Sequence, residues 1–431
     1  MRTAVVLFTR DLRVADNPAL HAACEIADRV VPLFVADPSV PSSPYRQRFL
    51  AESLADLRES LRHLGGELVI REGDPVTEAV KLARETGAFG IGLAADVSGF
   101  AAARERRLRR ACDDERLALK LFDSVTVVPP GALRPSSGGD HYRVFTPYWR
   151  AWQGFRHRPE LPVPRKVCMP GGIAPGRLPA GGAATGLLPG GETEGRARLS
   201  AWRKTSAEYA EIHDDLAADR TSRMSPYLHF GCVSPIEVAR QIGDVEAYVR
   251  QVCWRDFYHQ VLAYFPDLPH KAYRRNADEK WADDQRALDA WREGRTGVPI
   301  VDAGMRQLAG EGWMHNRARL ITASFLTKHL GLDWRAGAAW YASLLLDADV
   351  ANNNGNWQWV AGTGNDTKPY RRFNPVRQAE RFDPTGDYVR RWVPELAGLP
   401  GKAVHQPWLL PEPERRVLRY ADTLAPDPGR T

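Results

Sequence analysis

Residues 1–20 read M-R-T-A-V-V-L-F-T-R-D-L-R-V-A-D-N-P-A-L, a short apolar, β-branched run at 4–8 that leads into a charged turn. Four more such runs follow: V-V-P-L-F-V at 30–35, E-L-V-I at 67–70, G-I-G-L-A at 90–94 and L-K-L-F at 119–122, with amphipathic stretches between them. Strands alternating with helices build βαβ units, so Thr3 to Val128 is expected to form a doubly wound parallel sheet. The first turn holds no G-x-G-x-x-G, so the dinucleotide fingerprint is missing from its usual place. A chromophore or nucleotide bound by this domain must be held another way.

Between Pro129 and Glu194 stand P-P-G, P-S-S-G-G-D, M-P-G-G-I-A-P-G and L-P-A-G-G-A-A-T-G-L-L-P-G-G. Pro and Gly at that density sustain neither helix nor strand, so a long surface linker is expected, with a partly ordered aromatic island from Phe145 to Trp152. From Gly195 onward helical periodicity returns and β-branched alternation nearly vanishes. The expected division is an α/β domain over 1–128, a linker over 129–194 and an all-α domain over 195–431.

The 431 residues allow two or three domains. All 13 tryptophans lie at or after Trp149, so the two parts do different work. A formal charge of +6 suits a polyanionic partner, although a solvated positive surface is the more common meaning of such a balance. The 5 cysteines are odd in number and have no close pairing, which suggests neither a disulfide framework nor a zinc site, and no metal is expected. The opening apolar run is too short for a signal peptide, and no stretch has the roughly 20 apolar residues of a membrane span. A soluble, cytoplasmic protein is the expectation. The chain stops soon after its last motif, leaving little room for a signalling extension.

Residues 347–359 read D-A-D-V-A-N-N-N-G-N-W-Q-W, too polar for a core and too aromatic for an ordinary loop. As a helix, this places Asp349, Asn353 and Trp357 on one face and Trp359 roughly 200° from Trp357. Either the tryptophans are a packed pair with amide-rich capping, or one face serves one ligand and Trp359 a second.

Four motifs stand in order in the helical part: T-S-R-M-S-P-Y-L-H-F-G at 221–231, Q-V-C-W-R-D-F-Y at 251–258, G-W-M-H-N-R-A-R at 312–319, and the D-A-D…W-Q-W-V-A-G-T-G segment. Together with the N-terminal R-D-L-R-V-A-D-N-P, they resemble the photolyase/cryptochrome flavoprotein family, closest to bacterial class I cyclobutane-dimer photolyases. The resemblance covers nearly the whole chain outside the linker. It implies FAD in the helical domain, UV-damaged DNA as partner, no membrane, no obligate protein partner and a monomer.

The resemblance assigns residues one by one. Thr221, Ser222, Arg223, Met224 and Ser225 hold the FAD pyrophosphate at a helix start, where free N–H groups favour anions; the same T-S also reads as a plain helix N-cap. Tyr209 contacts the same ligand. Arg319 and Asp347 are an ion pair beside the isoalloxazine, or simply a surface salt bridge, with Ala348, Asp349 and Asn353 at the ring's polar edge. Asn353 is a neutral amide opposite N5 where plant-type cryptochromes carry Asp, which points to repair. Trp357, Trp334 and Trp281 are the electron relay. Trp254 and Trp359 pack on a flipped pyrimidine dimer, and Asn316 bonds its edge. Gln251, Tyr258 and Gln378 belong to the same substrate set. Arg317, Arg372 and Arg255 are candidates for phosphates, Arg255 alternatively for a structural ion pair.

The chain departs from the family pattern in three places. Gln251 stands where Glu is common and has no proton to share. His213 replaces a phosphate-binding Arg. Ala101 stands where folate-binding relatives place Glu, which favours 8-hydroxy-5-deazaflavin over methenyltetrahydrofolate as antenna. The implied activity is light-driven splitting of cyclobutane dimers by a deoxyribodipyrimidine photo-lyase. The alternatives are a blue-light receptor and (6-4) repair, the latter lacking its two histidines because Asn316 and Leu320 occupy their places.

Overall fold

The computed structural model describes residues 1–136, 138–182, 188–365 and 367–424. Its five strands are β1 (Thr3–Phe8), β2 (Arg29–Ala36), β3 (Val69–Glu72), β4 (Ala88–Ala94) and β5 (Ala118–Phe122). The helices of the first half are α1 (Pro18–Ile26), α2 (Pro44–His63), α3 (Pro75–Thr86), α4 (Gly99–Asp114), α5 (Phe145–Gln153) and α6 (Glu192–Arg203). After them come α7 (Tyr209–Ile212), α8 (Ser225–Phe230), α9 (Pro235–Gln241), α10 (Glu246–Tyr264), α11 (Gln285–Arg292) and α12 (Pro299–Glu311). The last are α13 (Asn316–Ser324), α14 (Trp334–Leu344), α15 (Val350–Ala361), α16 (Pro375–Phe382), α17 (Asp387–Trp392) and α18 (Glu412–Leu418).

The strands form one sheet in the order β3-β2-β1-β4-β5, every pair parallel. All six residues of β1 are buried, as a central strand covered on both faces requires. Helix starts are written locally: Asn17, Ser43 and Asp74 each accept from a first-turn N–H and precede Pro18, Pro44 and Pro75. The chain leaves β1 for β2 and β3, then returns to the other side of β1 as β4. The ends of β1 and β4 therefore mark the topological switch point of the sheet.

Contacts divide the chain into two compact units, Met1–Ala207 with Ser222–Pro266, and Glu208–Thr221 with Asp267–Thr431. The boundaries expected at 128 and 194 both fall inside the first unit. The aromatic island is a regular helix: Phe145, Tyr148, Trp149 and Trp152 recur at i, i+3, i+4 and i+7 on one face of α5, and all four are buried. The linker is also tied down along part of its length. Val30 N donates to Cys168 O at 2.7 Å and Ile70 N to Pro175 O at 2.8 Å, and Val167 is wholly buried with its N donating to Leu64 O at 2.8 Å. Residues 137 and 183–187 of the expected linker, and 366 and 425–431 of the expected helical domain, lie outside the described residues. Among the described residues of the second unit the regular structure is helical, apart from one parallel bridge between Ala282 and Leu332. No described helix is long and apolar enough to cross a membrane.

Candidate functional site

The Asp347–Trp359 segment folds as α15 with Asp349 just outside it as N-cap, accepting from Asn352 N and Asn352 Nδ2 at 2.8 Å each. On one face Asn353 gives Nδ2 to Ala338 O of α14 at 3.0 Å. That bond fixes which end of the amide is which and leaves Oδ1 as the acceptor. Trp357, one turn on, is 2% exposed and meets α14 at Gly337, where an added Cβ would lie 2.2 Å from the indole Cη2. Trp359 projects elsewhere, half-buried, with the Arg371 guanidinium 5.1 Å over its ring. Between them Gln358 is fully buried: Oε1 accepts from Tyr273 N at 2.8 Å, and Nε2 donates to Leu268 O and Lys271 O at 2.7 and 2.9 Å. The two-faced helix is present, and Gln358 anchors it.

Arg319 on α13 donates from Nη2 to Asp347 Oδ2 at 2.9 Å and from Nε to Met314 O at 2.8 Å. The Asp347 side chain is 5% exposed, so this is not a surface salt bridge. Asp347 Oδ1, Thr221 Oγ1 and His315 Nε2 are all buried without a hydrogen-bond partner. His315 caps α13, its Nδ1 accepting from Arg317 N at 3.1 Å, which puts the proton on Nε2. Burial pushes this imidazole down to about 4, against the pull of Asp214 and Asp219, so it is neutral. Buried polar atoms are normally satisfied, and three orphans of mixed donor and acceptor character suit a polar, multifunctional ligand such as FAD. Tyr209, in the short α7, is buried beside His213, with ring centroids 5.1 Å apart.

In the first unit, the 222–225 turn does lead into a helix, but the T-S pair is not its N-cap. Met224 is the capping residue and makes no side-chain cap, while Ser225 is exposed at the first helical position. Ser222 Oγ is spent internally, sharing a 2.9 Å hydrogen bond with Tyr248 Oη and accepting from Met224 N at 3.3 Å. Arg223 adopts φ +51°, a left-handed conformation costly for a side chain with Cβ.

The three tryptophans expected to form the relay all lie in the second unit. Trp334 opens α14, is wholly buried and carries Arg335 at 4.8 Å over its ring. Three residues on, Gly337 meets Trp357. Two residues before Trp334, Leu332 bridges to Ala282, beside the half-buried Trp281. Sequence reading missed Tyr341 and Trp291, whose rings stand 4.9 and 6.0 Å from Trp357, both edge to face.

On α10, Gln251 is exposed and Trp254 half-buried. Phe145 lies flat on Trp254, with centroids 3.6 Å apart and planes 4° from parallel. Two expectations need correction here. Tyr258 is 2% exposed and packs 5.6 Å from Trp254, so it supports that ring and does not face a substrate. Arg255 is turned inward, donating to Val125 O and, at 3.3 Å, to Leu228 O, with Asp256 Oδ1 3.9 Å away. Its guanidinium is engaged mainly with backbone carbonyls, with the Asp256 ion pair a longer contact, so its role is structural in a way neither alternative named.

On α13, Asn316 is exposed at the first position, whereas Arg317 is clamped by Asp214 at 3.1 and 2.6 Å and lies 4.3 Å over Phe382. A paired arginine has less to offer a phosphate. Arg372 is exposed, and Gln378 on α16 is half-buried with Oε1 unsatisfied. Ala348 joins Asp347 to the Asp349 cap and packs against the helical core.

The first unit thus holds a parallel, doubly wound sheet, and among its described residues the second is helical and carries the Arg319–Asp347 pair and orphaned polar atoms. The chain belongs to the DNA photolyase family, residues 4–165 matching DNA photolyase and residues 248–424 the FAD binding domain of DNA photolyase. It is 51% identical to the deoxyribodipyrimidine photo-lyase of Streptomyces griseus, over 98% of this chain and 96% of that one. A bacterial class III photolyase from Agrobacterium tumefaciens superposes with a TM-score of 0.92 at 35% identity, covering 99% of this chain and 94% of that one. An archaeal photolyase from Sulfolobus tokodaii with two FAD molecules gives 0.89 at 30% identity, covering 98% of this chain and 96% of that one.

Proposed function

We propose that this chain repairs UV-damaged DNA, splitting cyclobutane pyrimidine dimers under light as a carbon–carbon lyase. Bound reduced FAD supplies the electron that opens the dimer and receives it back. The observation that carries the reading is the buried Arg319–Asp347 pair next to orphaned Asp347 Oδ1, within a chain 51% identical along almost its full length to a deoxyribodipyrimidine photo-lyase.

The protein's part is binding, orientation and charge. Arg319 and Asp347 present a fixed ion pair to the flavin ring. Asn353, with Nδ2 tied to Ala338, would leave Oδ1 as an acceptor toward the polar edge of a bound flavin and, being a neutral amide, would have no proton of its own to release. Thr221 Oγ1 and the His315 Nε2–H are available to the polar remainder of the cofactor. Trp254 and Trp359 are assigned to the dimer as stacking rings, and Asn316 and Gln251 to its polar edges. Arg372, exposed and basic, is assigned to a flanking phosphate. Trp281, Trp334 and Trp357 carry an electron inward when the flavin must be re-reduced. A cytoplasmic monomer divided near 128 and 194 completes the proposal.

For the antenna we assign 8-hydroxy-5-deazaflavin to the crevice at the ends of β1 and β4. Thr9 Oγ1 and Arg104 Nε are buried there without partners, and Arg10 pairs with Asp96 at 3.1 Å. Ala101, 1% exposed in the first turn of α4, has no carboxylate for a pterin. Chromophore extracted from protein made in its native host is the test; methenyltetrahydrofolate, or a second FAD, would overturn the assignment.

The decisive assay for repair uses a dimer-containing oligonucleotide, chemically reduced protein and near-UV or blue light. Restored thymines are expected. Failure on cyclobutane dimers, or faster repair of (6-4) lesions, would overturn the function.

A further inference from the structure

We propose that Phe145, on the connector helix α5, is a positioning residue for damaged-base recognition. It fixes the plane of Trp254 so that a single indole face is offered to the flipped dimer. The proposal rests on the assignment of Trp254 to the dimer made above.

A 3.6 Å, nearly parallel stack sets Phe145 flat against one face of the indole, whereas aromatic pairs generally sit about 4.5–7 Å apart, offset or edge on. The flanks of Trp254 are also occupied, by Phe257 at 5.5 Å and 89° and by Tyr258 at 5.6 Å and 31°. Trp254 is nonetheless only half-buried, so part of it stays open, and that opening is assigned to the face away from Phe145. Phe145 is itself held. It is 5% exposed, and Arg250, one turn before Trp254 on the same side of α10, lies 5.3 Å over its ring and 5.9 Å over Trp149. Val144 gives α5 no side-chain cap, so the start of that helix is fixed by this packing.

A tryptophan on a helix has two rotatable bonds, and an unsupported indole loses that freedom when a base stacks on it. Fixing the ring beforehand removes the loss from the binding step. The effect belongs to affinity and not to chemistry, because Phe145 reaches the substrate only through Trp254.

The test compares Phe145→Leu, which removes the ring, with Phe145→Tyr, which keeps it, each alone and combined with Trp254→Ala. Binding to dimer-containing and undamaged oligonucleotides is measured, with flavin absorbance and repair per absorbed photon at saturating substrate. Phe145→Leu should weaken dimer binding about three- to ten-fold, the scale of one aromatic pair. Phe145→Tyr should bind like the parent, and undamaged-DNA affinity, flavin content and repair per photon should not change. In the Trp254→Ala background Phe145→Leu should cost nothing more.

Equal losses in both backgrounds would mark Phe145 as merely structural and overturn the proposal. So would parental affinity in Phe145→Leu when Trp254→Ala alone binds weakly. If Trp254→Ala leaves dimer affinity intact, the assignment of Trp254 fails first and the proposal falls with it. Phe145→Met, which fills similar space without a ring, serves the same comparison if the leucine variant does not fold.

Discussion

Arg319 reaches Asp347 across 28 residues of sequence and bonds one carboxylate oxygen at 2.9 Å, while the other is buried with no partner. A half-satisfied buried carboxylate is held for something else. Asp347→Asn removes the charge that pairs with Arg319, and hydrogen bonds to charged groups are worth about 1.5–3 kcal/mol. FAD affinity should fall at least about ten-fold by that scale, read from the flavin retained after dialysis. Unchanged retention would show that Asp347 serves packing alone.

Trp359 is expected to separate substrate from cofactor. Trp359→Ala should weaken binding to dimer-containing DNA by about 1–3 kcal/mol, the cost of losing a base–aromatic stack. Flavin should stay bound, because Trp357 and Asn353 lie on the other side of α15. Titration of a labelled dimer oligonucleotide, with flavin absorbance recorded alongside, checks both halves.

Trp281, half-buried beside the Ala282–Leu332 bridge, is proposed as the outer member of the relay with Trp334 and Trp357. Trp281→Phe keeps a ring of similar packing but removes the oxidisable indole. Photoreduction of the oxidised cofactor by an external reductant should stop or slow greatly, while chemically reduced protein repairs nearly as before. Normal photoreduction would move electron entry elsewhere, and lost repair in the pre-reduced state would make Trp281 structural.

His315 predicts a pH dependence. Its folded pKa is pushed down to about 4 by burial, with Asp214, Asp219, Arg317 and Arg319 around it, against about 6.5 for an unfolded chain. The unfolded chain takes up a proton that the folded protein refuses. The stabilisation is therefore complete above pH 6.5 and is lost as pH falls through 4, by about 3 kcal/mol in all. His315→Asn can still cap α13 but does not titrate. Denaturant unfolding at several pH values between 4 and 7 should show a shallower acid loss in the variant than in the parent.

Local chemistry decided more of this protein than its length suggests. β-branched runs spaced by amphipathic stretches specify parallel strands and their helices, because periodicity is a property of neighbouring residues. Caps such as Asn17-Pro18 and Asp74-Pro75 act within one turn. The i, i+3, i+4, i+7 aromatics of α5 were equally legible, but the Gly and Pro around them drew the reading toward a linker. The motifs in the helical part singled out Arg319, Asp347, Asn353 and the three tryptophans proposed as a relay without any distance in hand.

Tertiary structure decided which way the long side chains turn. Arg255 is spent on the carbonyls of Val125 and Leu228, Arg317 on Asp214, and Tyr258 beneath Trp254, although each sits in a motif that names it for DNA. Phe145 meets Trp254 from 109 positions away, and nothing local to either residue encodes that meeting. A side chain's direction depends on partners brought by the fold, and a donor's availability depends on whether those partners have already satisfied it.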